Sequence, residues 1–377
     1  MPEIQQNTLY LATPGSYIHR DHLTLQVEVP EFPPDLPLDE RSRETATGKR
    51  KLSIPIHHLE SICVFGLSTI SPHALSLCWD HGVAVHFLSE NGYLHGRLTG
   101  VADTSVLLRR TQFRAADDPV ACVAIGRQIV AGKIQNSRNS LLRAARETAS
   151  ESEREQIEMV TDALGRQLRD LAQLRRGESL PGSSPPATTR EAMDKVRGIE
   201  GMASQFYFSV FSLMLKQQRN AFAFTVRSRR PPRDRMNCLL SFLYALVRHD
   251  CVAALTCAGL DPFVGFLHTD RPNRPSLALD LMEEFRPWVA DRLAVTLINR
   301  QQIGPQHFNE REGGGVEFTE AGRKLTIQSY QQRKQERLQH VLLDQTLRIG
   351  QLYFVQARIL ARTLRKDLPA YVPFVPK

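Results

Sequence analysis

The hydrophobic period changes once along this chain, near residue 100, and that change most constrains the fold. Before it, apolar residues recur at every second position: Leu23-Thr24-Leu25-Gln26-Val27-Glu28-Val29 alternates as a half-buried strand does. After it they recur at helical spacing, as with Ile157, Val160, Leu164, Leu168 and Leu171 in the charged stretch 151–176. One sheet or one bundle does not satisfy both periods, and 377 residues leave room for two or three domains with cores of their own. The expectation is an α+β protein of two domains. A small N-terminal β-sandwich-like domain takes residues 1–99, a large all-α C-terminal domain takes 100–377, and the join falls near 97–104.

In the first part, LSIPI (52–56) reads as a strand whose proline places it at an edge or an end. Residues 62–65 and 83–88 are short apolar strands. Asn91-Gly92 is a hairpin turn pair, with 93–98 returning antiparallel. SPHALSLCWD (71–80) is a short helix opened by Ser71 with Pro72 in its first turn, and the proline- and charge-rich stretch 30–50 is a long exposed loop. In the second part, helices are expected over 119–146, 151–176, 190–211, 236–260 and 276–298. A loop at 312–326 holds a triple glycine, and two more helices follow near 327–345 and 346–366.

Basic residues outnumber acidic ones, 48 to 40, for a net charge of +8. That surplus favours a polyanionic partner, nucleic acid or an acidic membrane face. The six cysteines form no CxxC pair and read as reduced thiols used as small core residues. The N-terminus lacks a basic segment followed by an apolar one, and no run of 18 apolar residues occurs, so a cytoplasmic protein without a membrane partner is expected. Eight of the twelve histidines lie before residue 100. The adjacent pair His57-His58 would point to opposite faces of a strand, so these histidines read as solvated surface rather than a zinc site.

The chemistry concentrates in the helical part. Glu200 lies among Ile199, Met202, Phe206 and Phe208, where a carboxylate needs a cation or donors, either one of the many arginines or a metal. His268 ends an apolar run. The loop after it leads into SLALDLMEEFRP, where Ser276 reads as a cap and Asp280 shares a face with Glu283 and Glu284. Like charges at that spacing repel, so a divalent cation or Arg286 must offset them; spacing alone does not choose between Glu283 and Glu284. Two carboxylates and an imidazole, Glu200, Glu283 and His268, suit Mg²⁺ or Mn²⁺ better than zinc. Arg227, Arg229, Arg230, Arg233 and Arg235 cluster nearby in sequence, with Arg271 and Arg274 just past His268; guanidinium groups of this kind clamp phosphates.

Four stretches carry a family resemblance: GIEG (198–201), MNCLLSFLYALV (236–247), GLDPFVGFLHTDRPNRPSLALDLMEEFRP (259–287) and QARILARTLRKDLPAYVPF near the C-terminus, with GGGVEFTEAGRK (313–324) also fitting. The chain resembles the CRISPR-associated adaptation integrases, and in detail their type I-C branch. The resemblance implies that Glu200, His268 and Glu283 are metal ligands, that Asp280 stands beside the metal as a catalytic acidic residue, and that Asn237 and Tyr244 support the site. It implies a metal-dependent DNA endonuclease and transesterase that inserts short foreign fragments, as spacers, into the CRISPR array. The partners it implies are double-stranded DNA (spacer precursor and repeat), a second copy through the N-terminal domain, and a smaller adaptation subunit bridging two dimers into a heterohexamer. A non-catalytic architectural DNA-binding protein and a zinc-dependent hydrolase of small molecules are the rival readings.

Overall fold

The structure is a computed structural model that describes residues 3–5, 8–11, 13–33, 45–59, 61–88, 94–98, 106–176, 188–228 and 231–376. The chain divides into two units, Met1–Leu107 and Leu108–Lys377.

The first unit is built on two sheets. Its strands are β1 (Glu3–Gln5), β2 (Thr8–Leu11), β3 (Tyr17–Asp21), β4 (Thr24–Glu31), β5 (Gly48–Pro55), β6 (Ser61–Phe65), β7 (Thr69–Ile70), β8 (Ala84–Leu88) and β9 (Leu94–Leu98), with one helix, α1 (Pro72–Asp80). One sheet has the order β1-β2-β6-β8-β9 and the other β5-β4-β3-β7. The alternation read in 23–29 appears on β4, where Leu25, Val27 and Val29 are buried and Leu25 is opposed by Ile54 of β5. β5 is an edge strand that ends at Pro55, where a missing amide costs no ladder bond. β6 and β8 are parallel, so α1 makes the crossover. Ser71 caps α1 by accepting from the Ala74 amide at 3.2 Å. Residues of both sheets and of α1 share one apolar core, among them Leu9, Ile18, Val27, Val64, Leu77 and Val85. Asn91-Gly92 lies outside the described residues, but β9 does return antiparallel to β8. Two histidine expectations need correction. His57 and His58 occupy a short helical turn, not a strand. His86 is buried on β8 rather than solvated, and burial, with help from Arg97, pushes its pKa down to about 4.

The second unit is mostly helical: α2 (Val106–Asp117), α3 (Pro119–Glu147), α4 (Glu151–Arg176), α5 (Thr189–Ser209), α6 (Arg235–Cys257), α7 (Ser276–Met282), α8 (Arg292–Asn299), α9 (Glu320–Gln335) and α10 (Ile349–Leu364). Two antiparallel hairpins correct the all-α expectation: β10 (Phe308–Glu310) with β11 (Val316–Phe318), and β12 (Arg337–His340) with β13 (Gln345–Arg348). Glycine at 313 and 314 takes positive φ, which turns the first hairpin and lets α9 begin at residue 320. The second hairpin interrupts what reads as helix because its alternation is carried by polar residues.

On α4, Ile157, Leu164 and Leu171 are buried against α3 and α5. α6 has the length and apolar composition of a membrane-crossing helix. Here its Leu239, Leu240, Leu243, Val247 and Ala254 are fully buried, so it is a core helix of this unit. The six cysteines are free thiols, four of them buried. The helix expected over 276–298 breaks: α7 stops at Met282, and Arg286–Asp291 is a π-helical turn leading into α8. Pro287 is the physical reason, since it has no amide to donate and its ring crowds the carbonyl four residues back, that of Glu283.

Candidate functional site

Three elements of the second unit supply the site. α5 carries Glu200; its first turn is fixed by Thr188, which accepts from the Glu191 amide. α3 brings Lys133, a residue not singled out from sequence. The loop before α7 brings His268, and the end of α7 brings Asp280 and Glu283.

Lys133 lies between the two carboxylates. Its ammonium donates to Glu200 Oε1 and stands 2.7 Å from Glu283 Oε2. Ser204, one turn along α5, donates to Glu200 Oε1 at 3.0 Å. Glu283 is buried, and Arg286 Nη1 donates to its Oε1 at 2.6 Å. Burial pushes the Glu283 pKa up, but Arg286, Lys133 and His268 outweigh it and hold the carboxyl well below the usual range. Glu283 is therefore an anion at neutral pH despite its burial. Behind it, the Arg286 guanidinium stacks 4.3 Å from the Tyr244 ring centroid, and Tyr244 donates to Asp291 at 2.5 Å. Burial, against the Tyr244 hydrogen bond and Arg286, pushes the Asp291 pKa up to about 6.

Asp280 is fully buried and takes four donors. The Phe266 and Leu267 amides reach Oδ2 at 2.6 and 3.0 Å, and the His268 amide and Nδ1 reach Oδ1 at 2.9 and 2.7 Å. A carboxylate on Nδ1 fixes the imidazole orientation and tautomer, leaving Nε2 to face a ligand. Gly265 allows this loop to close: a Cβ there would sit 2.8 Å from Ser276 Cβ and 3.0 Å from Asp280 Oδ2. Ser276 does not cap α7; its hydroxyl donates to the Thr269 carbonyl at 3.2 Å and ties the loop down.

Glu283 and Glu284 face different neighbours. Glu284 is fully buried and accepts from Tyr371 at 2.5 Å, from the Phe374 amide and from Gln356. Asn136 of α3 donates to both the Glu284 carbonyl and the Phe374 carbonyl, at 2.7 and 2.8 Å. Glu284 thus clasps the C-terminal segment while Glu283 faces Lys133. Burial pushes the Glu284 pKa up to about 8, against the opposing pull of its hydrogen bonds. The raised value favours the protonated fold, so its stabilising contribution is complete below the unfolded pKa near 4.5 and is lost as pH rises through about 8. In urea unfolding from pH 5 to 8, wild-type stability is expected to fall relative to Glu284→Gln by about 1.4 kcal/mol per pH unit. Parallel pH profiles for the two proteins count against a buried, protonated Glu284.

The donor chemistry fits a divalent cation. Two carboxylates already converge on one positive charge, with Glu283 Oε2 engaged by the Lys133 ammonium alone, and His268 keeps Nε2 clear of Asp280. Lys133 supplies that charge, and among the described residues no three Asp, Glu, His or Cys side chains stand at ligating distance from one point.

The expected phosphate-binding arginines divide. Arg227 is held inside the fold, donating to Asn237 Oδ1 and Ser241 Oγ at 2.6 and 3.0 Å, with its guanidinium 5.2 Å from the Tyr244 ring. Buried Asn237 in turn pins the start of α6 through Asp234 and the Val226 carbonyl. Arg229 and Arg230 lie outside the described residues. Arg271 is exposed and Arg274 half-buried, in the turn that follows His268, and neither has an acidic partner among the described residues. The signal for Lys133 was present in the sequence: it is a lone cation in the apolar run IVAGKI, preceded by a glycine whose Cβ would meet Pro373 at 2.6 Å.

Residues 9–332 match the family model described as CRISPR associated protein Cas1. The chain is similar to CRISPR-associated endonuclease Cas1 1 of Moorella thermoacetica, 41% identical over 369 residues covering 98% of each chain. It is 40% identical, again over 369 residues and 98% of each, to the protein of the same name from Chlorobaculum tepidum. Among solved structures it shares its fold with a casposase bound to integration product (TM-score 0.70, 20% identity, 97% of this chain and 98% of that one). A Cas1 protein from Thermotoga maritima is also similar (TM-score 0.65, 23% identity, 95% and 96%). On the family match and this identity along nearly its whole length, the chain belongs to the Cas1 family of CRISPR-associated proteins.

Proposed function

We propose that this protein is the integrase of CRISPR adaptation, a metal-dependent DNA endonuclease and transesterase acting through Glu200, Glu283 and His268, with Asp280 as the residue that orients His268. The observation that carries the reading is the convergence of Glu200 and Glu283, from two elements, on one cation beside an imidazole of fixed tautomer. The two carboxylates and His268 Nε2 would hold Mg²⁺ or Mn²⁺. When bound, the ion supplies Lewis-acid stabilisation of the phosphodiester and activation of the attacking 3′-hydroxyl. Arg286 and Lys133 keep Glu283 ionised, Asp280 keeps the imidazole turned to the site, and Arg271 and Arg274 at its edge grip backbone phosphates.

The substrates are a short captured DNA duplex, whose 3′-hydroxyls attack, and the leader–repeat junction of the array. Fold neighbours solved with an integration product and in a Cas1–Cas2 complex support DNA and a smaller adaptation subunit as partners. We extend this to a homodimer through residues 1–99, with 100–377 as the catalytic domain, two dimers bridged into a heterohexamer, a type I-C system and a cytoplasmic setting.

The test is strand transfer on a branched DNA, with Mg²⁺ or Mn²⁺ and then with chelator, beside DNA binding across a salt series. Metal-dependent joining is expected, together with affinity that falls steeply with salt, by about 0.9 log units per log unit of salt for each phosphate contacted. Salt-sensitive binding without joining would identify an architectural protein, and a flat salt response a small-molecule hydrolase.

A further inference from the structure

Glu283 is balanced by two cations of different kinds, Arg286 and Lys133. Arg286 is fixed. Its guanidinium donates to Glu283 Oε1 at 2.6 Å and lies 4.3 Å from the ring centroid of Tyr244, whose hydroxyl donates to Asp291. Lys133 is held at its tip, where the ammonium touches Glu200 Oε1 and Glu283 Oε2, and behind that tip runs a flexible aliphatic stem. Of the two, Lys133 is the one that can leave its place without unstacking a ring or breaking a chain of buried hydrogen bonds.

The way out is one-sided. Glu200 and His268 keep 29% and 24% of their side chains exposed, against 4% for Glu283, and Arg286 closes the buried side with a like charge. An ammonium that moves therefore moves toward the surface that Glu200 and His268 reach, from which a substrate phosphate would approach. Charge supplies the reason to move. Lys133 and Arg286 already neutralise the two carboxylates. With a divalent cation on the same oxygens, an ammonium still in contact with them would leave the site strongly positive, and burial screens that repulsion only weakly. A phosphate oxygen at the surface would give the ammonium a new charged partner.

We propose that Lys133 is a displaceable counter-ion: it holds Glu200 and Glu283 together until a divalent cation takes its place, and then donates to a phosphate oxygen of the DNA. The proposal rests on the metal-dependent joining reading above and adds a coupling to it. Because DNA supplies the partner that the displaced ammonium needs, DNA and cation must each tighten the binding of the other by the same factor.

The test follows Mn²⁺ binding by loss of the free-ion EPR signal, with and without a branched DNA whose 3′ ends are deoxy and so cannot join. Without DNA, Lys133→Met should bind Mn²⁺ about tenfold or more tightly than wild type, and the factor by which DNA tightens Mn²⁺ should shrink from the roughly 5–150-fold typical of coupled sites. Lys133→Arg, which keeps the charge, should bind Mn²⁺ no more tightly than wild type. Metal-free Lys133→Met should melt below wild type, because Glu200 and Glu283 then face each other as anions, and Mn²⁺ should raise its melting temperature more than it raises that of wild type. If the Met variant does not fold without metal, Lys133→Gln, which still donates a hydrogen bond to the carboxylates, carries the same expectations. Mn²⁺ affinity in the neutral variants equal to or below wild type overturns the displaceable counter-ion. Tighter Mn²⁺ binding with an unchanged DNA factor overturns the transfer to phosphate. Wild type that binds no Mn²⁺ even with DNA present overturns the metal-dependent reading first, a result distinct from the other two.

Discussion

Glu283→Gln is expected to lower metal-dependent strand transfer by at least about 100-fold, since losing even an outer-shell partner of a metal ligand typically costs 10–100-fold. The amide keeps the shape and still accepts from Arg286, but removes the negative charge that Lys133 and Arg286 hold in place at neutral pH. Glu200→Ala should lose at least as much, because Glu200 faces the same cation from α5. The readout is the rate on a branched DNA at saturating Mn²⁺, beside Mn²⁺ affinity measured calorimetrically. Glu284→Gln is the matched control: that residue faces the C-terminal segment, so its rate per folded molecule should stay near wild type. A wild-type rate for Glu283→Gln, or a collapse confined to Glu284→Gln, removes Glu283 from the site.

The second large effect is on stability. Asp280→Ala withdraws the acceptor from three amides and one imidazole at once. Leaving a buried donor unsatisfied costs about 1–3 kcal/mol, so with four donors the loss should be roughly 4 kcal/mol or more. Asp280→Asn keeps one acceptor oxygen and turns an NH₂ toward the remaining donors, and should fall between Ala and wild type. Urea unfolding measures both. Where Asp280→Asn is folded, its Mn²⁺ affinity should still drop, because His268 no longer has a fixed tautomer. An Asp280→Ala protein as stable as wild type contradicts the four-donor geometry.

Much of this was legible in the residues, and the gaps have physical causes. β4, α1 and α4 follow from alternation, from Ser71 and from a clean apolar stripe, because each is decided locally. The hairpin of 337–340 with 345–348 was read as helix because polar alternation carries little signal when neither face is continuously apolar. The break after Met282 needed the joint effect of Pro287 and the burial of the turn before it. Glu200 and His268 stand out by their apolar surroundings, Asp280 and Glu283 by their shared helix face and the family resemblance, and the structure brings Glu200 to Glu283 and His268 to Asp280. Spacing leaves Glu283 and Glu284 equivalent because they are adjacent on one turn; the motif position in the family resemblance selects Glu283, and their tertiary neighbours show how the two differ. Lys133 carries only a weak signal for a related reason: a lysine counts as solvated until something distant in sequence surrounds it. Arg227 shows the converse, an arginine in a basic cluster that packing turns inward.

The charges at the site balance from within, two carboxylates against Lys133 and Arg286. Lys133 and Arg286 thus act as internal counter-ions that let the two carboxylates pack into the helical unit as anions. A cation entering between Glu200 and Glu283 would meet the Lys133 ammonium first, so its binding should read as an exchange of one positive charge for another.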